Sequence, residues 1–273
     1  MEKMKTLVFL NNKGGVGKTA SATSVAHIMS EMFGKRVLVI DLDAQMNATT
    51  MFTKIDFMDL FGSIYRRETK KSGKSIEDLL LDRELDIHDC IIKTDYKNLD
   101  LIPSYITLSE CDERLKADVT SPQQFKLKNH LKNVQNEYDF CIIDSSPSVN
   151  IININGLTAA DEVYIPLRCD GYSLLGVAMA MRLFNTVSEY NENLKIGGMF
   201  FTQWDSRANV DKVAYGMLKD SFEEYLLPIK IGVSKNVKEC SFMQKPLLAY
   251  DNGKNKNKVT LQYMELTKYI LSR

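Results

Sequence analysis

Thr6-Leu7-Val8-Phe9-Leu10-Asn11-Asn12-Lys13-Gly14-Gly15-Val16-Gly17-Lys18-Thr19 is the stretch that decides the fold. Thr6 to Leu10 is a short apolar run of strand length, and a glycine-rich turn follows it. Beyond the turn a helical pattern runs from about Lys18 to Phe33 and stops at Gly34. Strand, glycine turn and helix form the setting in which Lys13-Gly14-Gly15-Val16-Gly17-Lys18-Thr19 binds phosphate. Glycines let the backbone turn tightly and bring N–H groups against phosphate oxygens. The helix N-terminus adds partial positive charge. Lys18 can reach the β- and γ-phosphates, and the Thr19 hydroxyl can ligate Mg2+. Background composition yields a GGxGK[ST] run in roughly one chain of this length in a thousand.

Outward from this stretch the pattern alternates. Apolar runs at Arg36 to Asp43, Leu99 to Pro103, Asp139 to Asp144, Glu162 to Leu167 and Ile196 to Thr202 read as further strands. Helix-length segments separate most of them, such as Leu174 to Tyr190 and Val210 to Tyr225. This predicts an α/β fold, a doubly wound and mostly parallel sheet with helices on both faces. Ligands in such sheets sit at the carboxyl ends of the strands. Asp41, Asp43 and Asp144 end two of the strands and are therefore candidates. Asp41 and Asp43 lie two apart, so strand alternation points both towards the phosphate loop.

Composition sets the bounds. The chain has 273 residues, 44% of them hydrophobic, enough for a full core. Its 35 basic and 35 acidic residues cancel, which excludes a uniformly basic coat but not local patches. Two patches stand out, Ser63 to Ser75 (Arg66, Arg67, Lys70, Lys71, Lys74) and Gly253 to Lys258 (Lys254, Lys256, Lys258). Both read as solvated surface. No apolar run reaches the ~18–20 residues of a membrane span, and Thr6 to Leu10 is too short for a signal sequence. Cys90, Cys111, Cys141, Cys169 and Cys240 are odd in number and widely spaced, as expected of reduced thiols in a cytoplasmic protein. The three histidines, His27, His88 and His130, are scattered and carry no metal pattern.

The loop lacks the first glycine of the common G-x-x-x-x-G-K-[ST] pattern, which falls at Asn12, and has a second lysine, Lys13, inside it. In this it resembles the ParA/MinD family of deviant Walker A ATPases, most closely the ParA/Soj-like partitioning proteins. The resemblance continues in VLVIDLDAQMNAT (Val37 to Thr49), CIIDSSPS (Cys141 to Ser148), MFFTQWDSRAN (Met199 to Asn209) and SKNVKECSFMQKPL (Ser234 to Leu247). It is weakest from about Ile55 to Leu99. It implies one ATPase domain over residues 1–273, with a variable, partly basic segment near 55–99. Lys13 through Ala20 would hold ATP. Lys13 would reach phosphates bound by the other subunit of a face-to-face homodimer, as an arginine finger does. Asp43 would orient the attacking water, and Thr19, Asp41 and Asp144 would hold the magnesium shell. Ala44, Met46, Ser146 and Ala20 depart from the usual residues, and none of these changes removes a charge.

ParA-like relatives bind DNA without sequence preference when loaded with ATP. The matching positions are Arg207, Lys235 and Lys238, where lysine replaces the family's usual arginine at the last two. The resemblance thus implies a weak ATPase that partitions a plasmid or chromosome, associates with the nucleoid and is stimulated by a ParB-like centromere-binding partner. The first strand begins within about ten residues, as in the smaller partition ATPases without an N-terminal DNA-binding domain. A MinD-like positioning ATPase is the alternative. The final segment, with Val259, Tyr263, Leu266 and Ile270 at helical spacing, reads instead as a core helix with few basic residues, so no membrane partner is expected. A reductase of the nitrogenase iron-protein type needs two cysteines per subunit at the dimer face, and Cys141 lies inside a strand rather than after it. A non-catalytic nucleotide switch is a further alternative. Thr202 and Gln203, at the end of the sixth strand, are the candidates for the adenine side of the pocket.

Overall fold

The computed structural model describes residues 3–66, 68, 71–170, 173–251 and 257–273. The opening apolar run becomes β1 (Lys5–Phe9), with β2 (Val37–Leu42), β3 (Ile92–Lys93) and β4 (Leu99–Ile102) following in the chain. The remaining strands are β5 (Phe140–Ser145), β6 (Glu162–Arg168), β7 (Lys195–Trp204) and β8 (Leu226–Gly232). They form one sheet in the order β3-β4-β2-β5-β1-β6-β7-β8. Every pairing is parallel except β3 with β4.

The six expected strands are all present, with ends shifted by a residue or two. Two more were not legible. β3 is a two-residue edge strand with no apolar run. β8 contains Pro228 and Lys230 and alternates in burial instead of running continuously apolar. It lies at the sheet edge, where a proline's missing N–H removes no interior ladder bond.

Alternation along the strands builds two cores. Leu7, Phe9, Val37, Val39 and Ile142 face the helices Lys18–Phe33 and Lys258–Leu271. Val8, Leu10, Leu38, Ile40 and Ile143 face the helices Leu108–Ala117, Ile151–Ala159 and Ser173–Ser188, among others. The last helix buries Val259, Tyr263, Leu266 and Ile270 in the first of these cores. No helix among the described residues is long and apolar enough to cross a membrane. The variable segment contains the helices Phe57–Tyr65 and Ile76–Leu81, and then β3. All five cysteines are free thiols, and Cys141 is fully buried inside β5.

Candidate nucleotide site

The phosphate loop leaves β1 and enters the Lys18–Phe33 helix. Gly15 (φ 72°) and Gly17 (φ 84°) take the left-handed conformation that lets the chain turn this sharply, and Gly17 caps the helix. The loop is braced from behind. The Thr202 hydroxyl donates to the Val16 carbonyl at 2.8 Å, and the Gln203 amide donates to the Gly15 carbonyl at 2.8 Å. With these carbonyls engaged, the loop's N–H groups remain for an anion. Gln203 makes this contact from φ 53°, an uncommon conformation for a non-glycine residue. Thr202 and Gln203 therefore support the loop's backbone. Asn11 was not singled out from the sequence, yet it donates to the Pro166 carbonyl at 2.8 Å and accepts from the Lys13 N–H at 2.9 Å, tying the loop to β6.

Lys18 is 6% exposed, and its ammonium donates to the Lys13 carbonyl at 3.1 Å. Burial lowers its pKa below the ordinary lysine value, while Asp144 and Asp43 oppose the shift. Asp144 ends β5 on the face covered by the Lys18–Phe33 helix, with no exposure and no hydrogen-bond partner for either carboxylate oxygen. Burial pushes its carboxyl well above the usual range. Asp41 adds to the push, and Thr19 and Lys18 pull the other way. Two buried carboxyl oxygens without a donor, beside a threonine hydroxyl, suit a hydrated divalent cation, whose charge would favour their ionised form. Thr19 and Asp144 would hold Mg2+, which when bound neutralises charge on the phosphates.

Asp41 pairs in register with Asp144 on the adjacent strand. Its oxygens are already engaged. Oδ1 accepts from the Asp43 N–H at 3.0 Å, and Oδ2 accepts from the Thr49 N–H and hydroxyl, each at 2.8 Å. Burial raises its pKa to about 6. Asp41 thus shapes the segment from Asp43 to Thr49 as well as lying beside Asp144. Ser104 completes this network by donating to the Asp43 carbonyl at 2.8 Å and, through its N–H, to Thr49 Oγ1 at 3.0 Å. Asp43 itself acts on Lys18 and borders a cleft of about 430 Å3 between Asp43–Gln45 and Ser146–Asn150.

Lys13 forms an ion pair with Asp170, just beyond β6. The loop's outer residues Gly14 and Gly15 are exposed, and Ala20 lies half-buried in the helix's first turn. The candidate DNA contacts lie apart from this cluster. Arg207 is exposed, and its guanidinium is bonded to Asp205 at 3.1 and 3.2 Å. Lys235 and Lys238 are exposed in the first turn of the helix Lys235–Phe242. Of the basic runs, Arg67, Lys70, Lys254 and Lys256 lie outside the described residues. Arg66 pairs with Glu68, Lys71 with Glu77 and Asp78, and Lys74 with Asp89.

A parallel sheet with a glycine loop at one strand end and buried acids at the next two defines a P-loop nucleotide hydrolase. Residues 4–196 match the AAA domain family. The chain is 31% identical to the sporulation initiation inhibitor protein Soj of Bacillus subtilis, covering 97% of this chain and 98% of Soj. It is 33% identical to the chromosome-partitioning ATPase Soj of Treponema pallidum over 90% of each chain. A putative plasmid partition protein from Borrelia burgdorferi, solved with AMPPNP, superposes with a TM-score of 0.73 at 26% identity over 99% of both chains. The chain belongs to the ParA/Soj family of P-loop partitioning ATPases, enzymes that hydrolyse ATP with Mg2+.

Proposed function

We propose that this protein is an ATP-operated dimer that binds DNA without sequence preference and partitions a plasmid or chromosome with a ParB-like adaptor. One observation carries the reading. The phosphate loop holds two lysines, Lys18 buried at its base and Lys13 at its outer side in an ion pair with Asp170. Lys18 serves the nucleotide in its own subunit. Lys13 is placed to exchange Asp170 for a phosphate held by a second copy, adding a cation to the transferring group. Phosphoryl transfer needs chiefly positioning and charge stabilisation, and the site supplies both. Asp43 orients water in the adjoining cleft, Asp41 keeps that segment in place through Thr49, and Asp144 with Thr19 holds the metal's hydration shell. Arg207, Lys235 and Lys238 then contact DNA phosphates, with Arg207 leaving Asp205 to do so. The names of the Soj relatives and of the Borrelia partition protein support the partitioning role. A membrane-positioning role is disfavoured, because the apolar face of the last helix is buried.

The test is the mass of the Asp43→Ala variant by light scattering with MgATP. A stable dimer is expected, with hydrolysis down about a hundredfold or more. A monomer at saturating MgATP overturns the reading.

A further inference from the structure

We propose that Ser104, just beyond the end of β4, is a positioning residue for ATP hydrolysis, holding Asp43 where it can orient the attacking water. This rests on the role given to Asp43 above and adds to it a residue outside the phosphate loop and the strand-end acids.

Asp43 lies where the sheet stops supporting it. Backbone pairing of β2 with β4 ends at Ile40 and Ile102, and pairing of β2 with β5 ends at Leu42 and Ser145. Asp43 is the next residue and has no ladder partner on either side. A displacement of about 1 Å in a group that must place a reactant can cost about a hundredfold in rate. Bonds other than the ladder therefore have to fix this turn.

Most of the bonds at Asp43 are local. Its N–H donates to Asp41 Oδ1 at 3.0 Å, its Oδ1 accepts from the Gln45 N–H at 2.9 Å, and its carbonyl accepts from the Met46 N–H at 2.9 Å. These partners shape the turn, but Gln45 and Met46 belong to it and would move with it. Ser104 is different. It lies 61 residues away in the chain, and its hydroxyl donates to the Asp43 carbonyl at 2.8 Å. Among the described residues it is the hydrogen-bond partner of Asp43 that comes from outside the turn and its own strand. Met46 already keeps the Asp43 carbonyl from being orphaned, so the second donor serves as a tether to β4.

Ser104 is itself held firmly. It is fully buried, and its N–H donates to Thr49 Oγ1 at 3.0 Å. One residue thus grips the segment at Asp43 and again at Thr49. Its neighbours are anchored on both sides. The Pro103 carbonyl accepts from the Ile76 N–H at 3.0 Å, and the Tyr105 hydroxyl bonds to Ser72 Oγ at 2.6 Å. A short side chain on a backbone fixed at both sides has little freedom, as positioning requires. The ATP phosphates are the business of the loop and Lys18, to which Ser104 makes no hydrogen bond among the described residues. Its hydroxyl should therefore affect the rate of hydrolysis and leave nucleotide affinity alone.

The experiment measures ATP hydrolysis with Mg2+ by wild type, Ser104→Ala, Ser104→Cys, Asp43→Ala and Ser104→Ala/Asp43→Ala. Steady-state assays give kcat and KM, and single turnovers of radiolabelled ATP give the slow rates. Ser104→Cys fills similar space with a much weaker donor, which separates the hydrogen bond from packing. Both single variants at Ser104 should lose about tenfold or more in kcat, with KM for ATP within about twofold of wild type. Their Tm should fall by only about 2–4 °C, as for the loss of one hydrogen bond. In the Asp43→Ala background, removing the Ser104 hydroxyl should change the single-turnover rate by less than about twofold, since no carboxylate is left to place. A merely structural role would multiply the two losses. The proposal is overturned if Ser104→Ala or Ser104→Cys keeps the wild-type kcat, if KM rises while kcat holds, or if the losses multiply in the double variant. If Asp43→Ala is slow and Ser104→Ala is not, the role of Asp43 stands and that of Ser104 falls. If Asp43→Ala hydrolyses ATP as fast as wild type, both fall.

Discussion

His27 shows how one buried side chain sets a pH limit. It is 2% exposed, its Nδ1 has no hydrogen-bond partner, and its ring meets Tyr96 edge-on at 4.6 Å. Burial lowers its pKa from 6.5 to about 4. The folded state therefore resists a proton that the unfolded chain accepts. The stabilisation is full above pH 6.5 and is lost as pH falls through 4, at a cost of about 3 kcal/mol below that point. Asp41, raised to about 6, works the other way over the same range, since its neutral form favours the folded state. Asp41 is common to both proteins in a comparison of His27→Gln with wild type. The variant should lose less stability between pH 7 and pH 4 in urea melts, and equal losses would refute this account. Single residues also differ in how far they can be read in advance. Lys18 and Thr19 are legible because the loop's chemistry is local. Asn11, Gln203 and Asp170 are not, since their partners lie 155, 188 and 157 residues away in the chain.

At the scale of elements, β6 and β7 bear directly on the site, because their ends supply Pro166, Thr202 and Gln203. They meet across a bulge near Val163 and Tyr164. The approach is close there: a Cβ on Gly197 would lie 2.5 Å from the Tyr164 ring. Tyr164 is fully buried and donates to Glu162 at 2.8 Å, so it has little room to move. Gly197→Ala should cost about 1–3 kcal/mol through overpacking, seen as a lower urea midpoint with an unchanged slope. A midpoint equal to wild type would show that the ring can give way. The glycine pair Gly197-Gly198 inside a strand was visible in the sequence, but its reason was not, since a strand pattern says nothing about which ring lies across it. The same holds for β8, whose proline is tolerated because of its edge position.

For the whole molecule, the nucleotide site joins β1, β2, β5, β6 and β7, so occupying it should stabilise the entire sheet. MgATP at a hundred times its Kd should add about 2.7 kcal/mol, read as a rise in Tm that grows with concentration. Lys18→Ala should abolish the rise, because it removes the charge at the base of the loop. A rise that survives in this variant would place nucleotide binding elsewhere.

The sequence by itself determined the class of fold, the phosphate loop and the strand-end acids. Each is written in neighbouring residues: periodic apolar runs, glycines where the backbone must turn, a lysine and a threonine one turn into a helix. Only the tertiary structure decided how these parts are held and charged. Asn11 bonded to Pro166, Ser104 bonded to Asp43 and Lys13 paired with Asp170 all join segments distant in the chain. Such contacts and electrostatic fields depend on burial and on distance through space, and neither exists until the sheet has assembled.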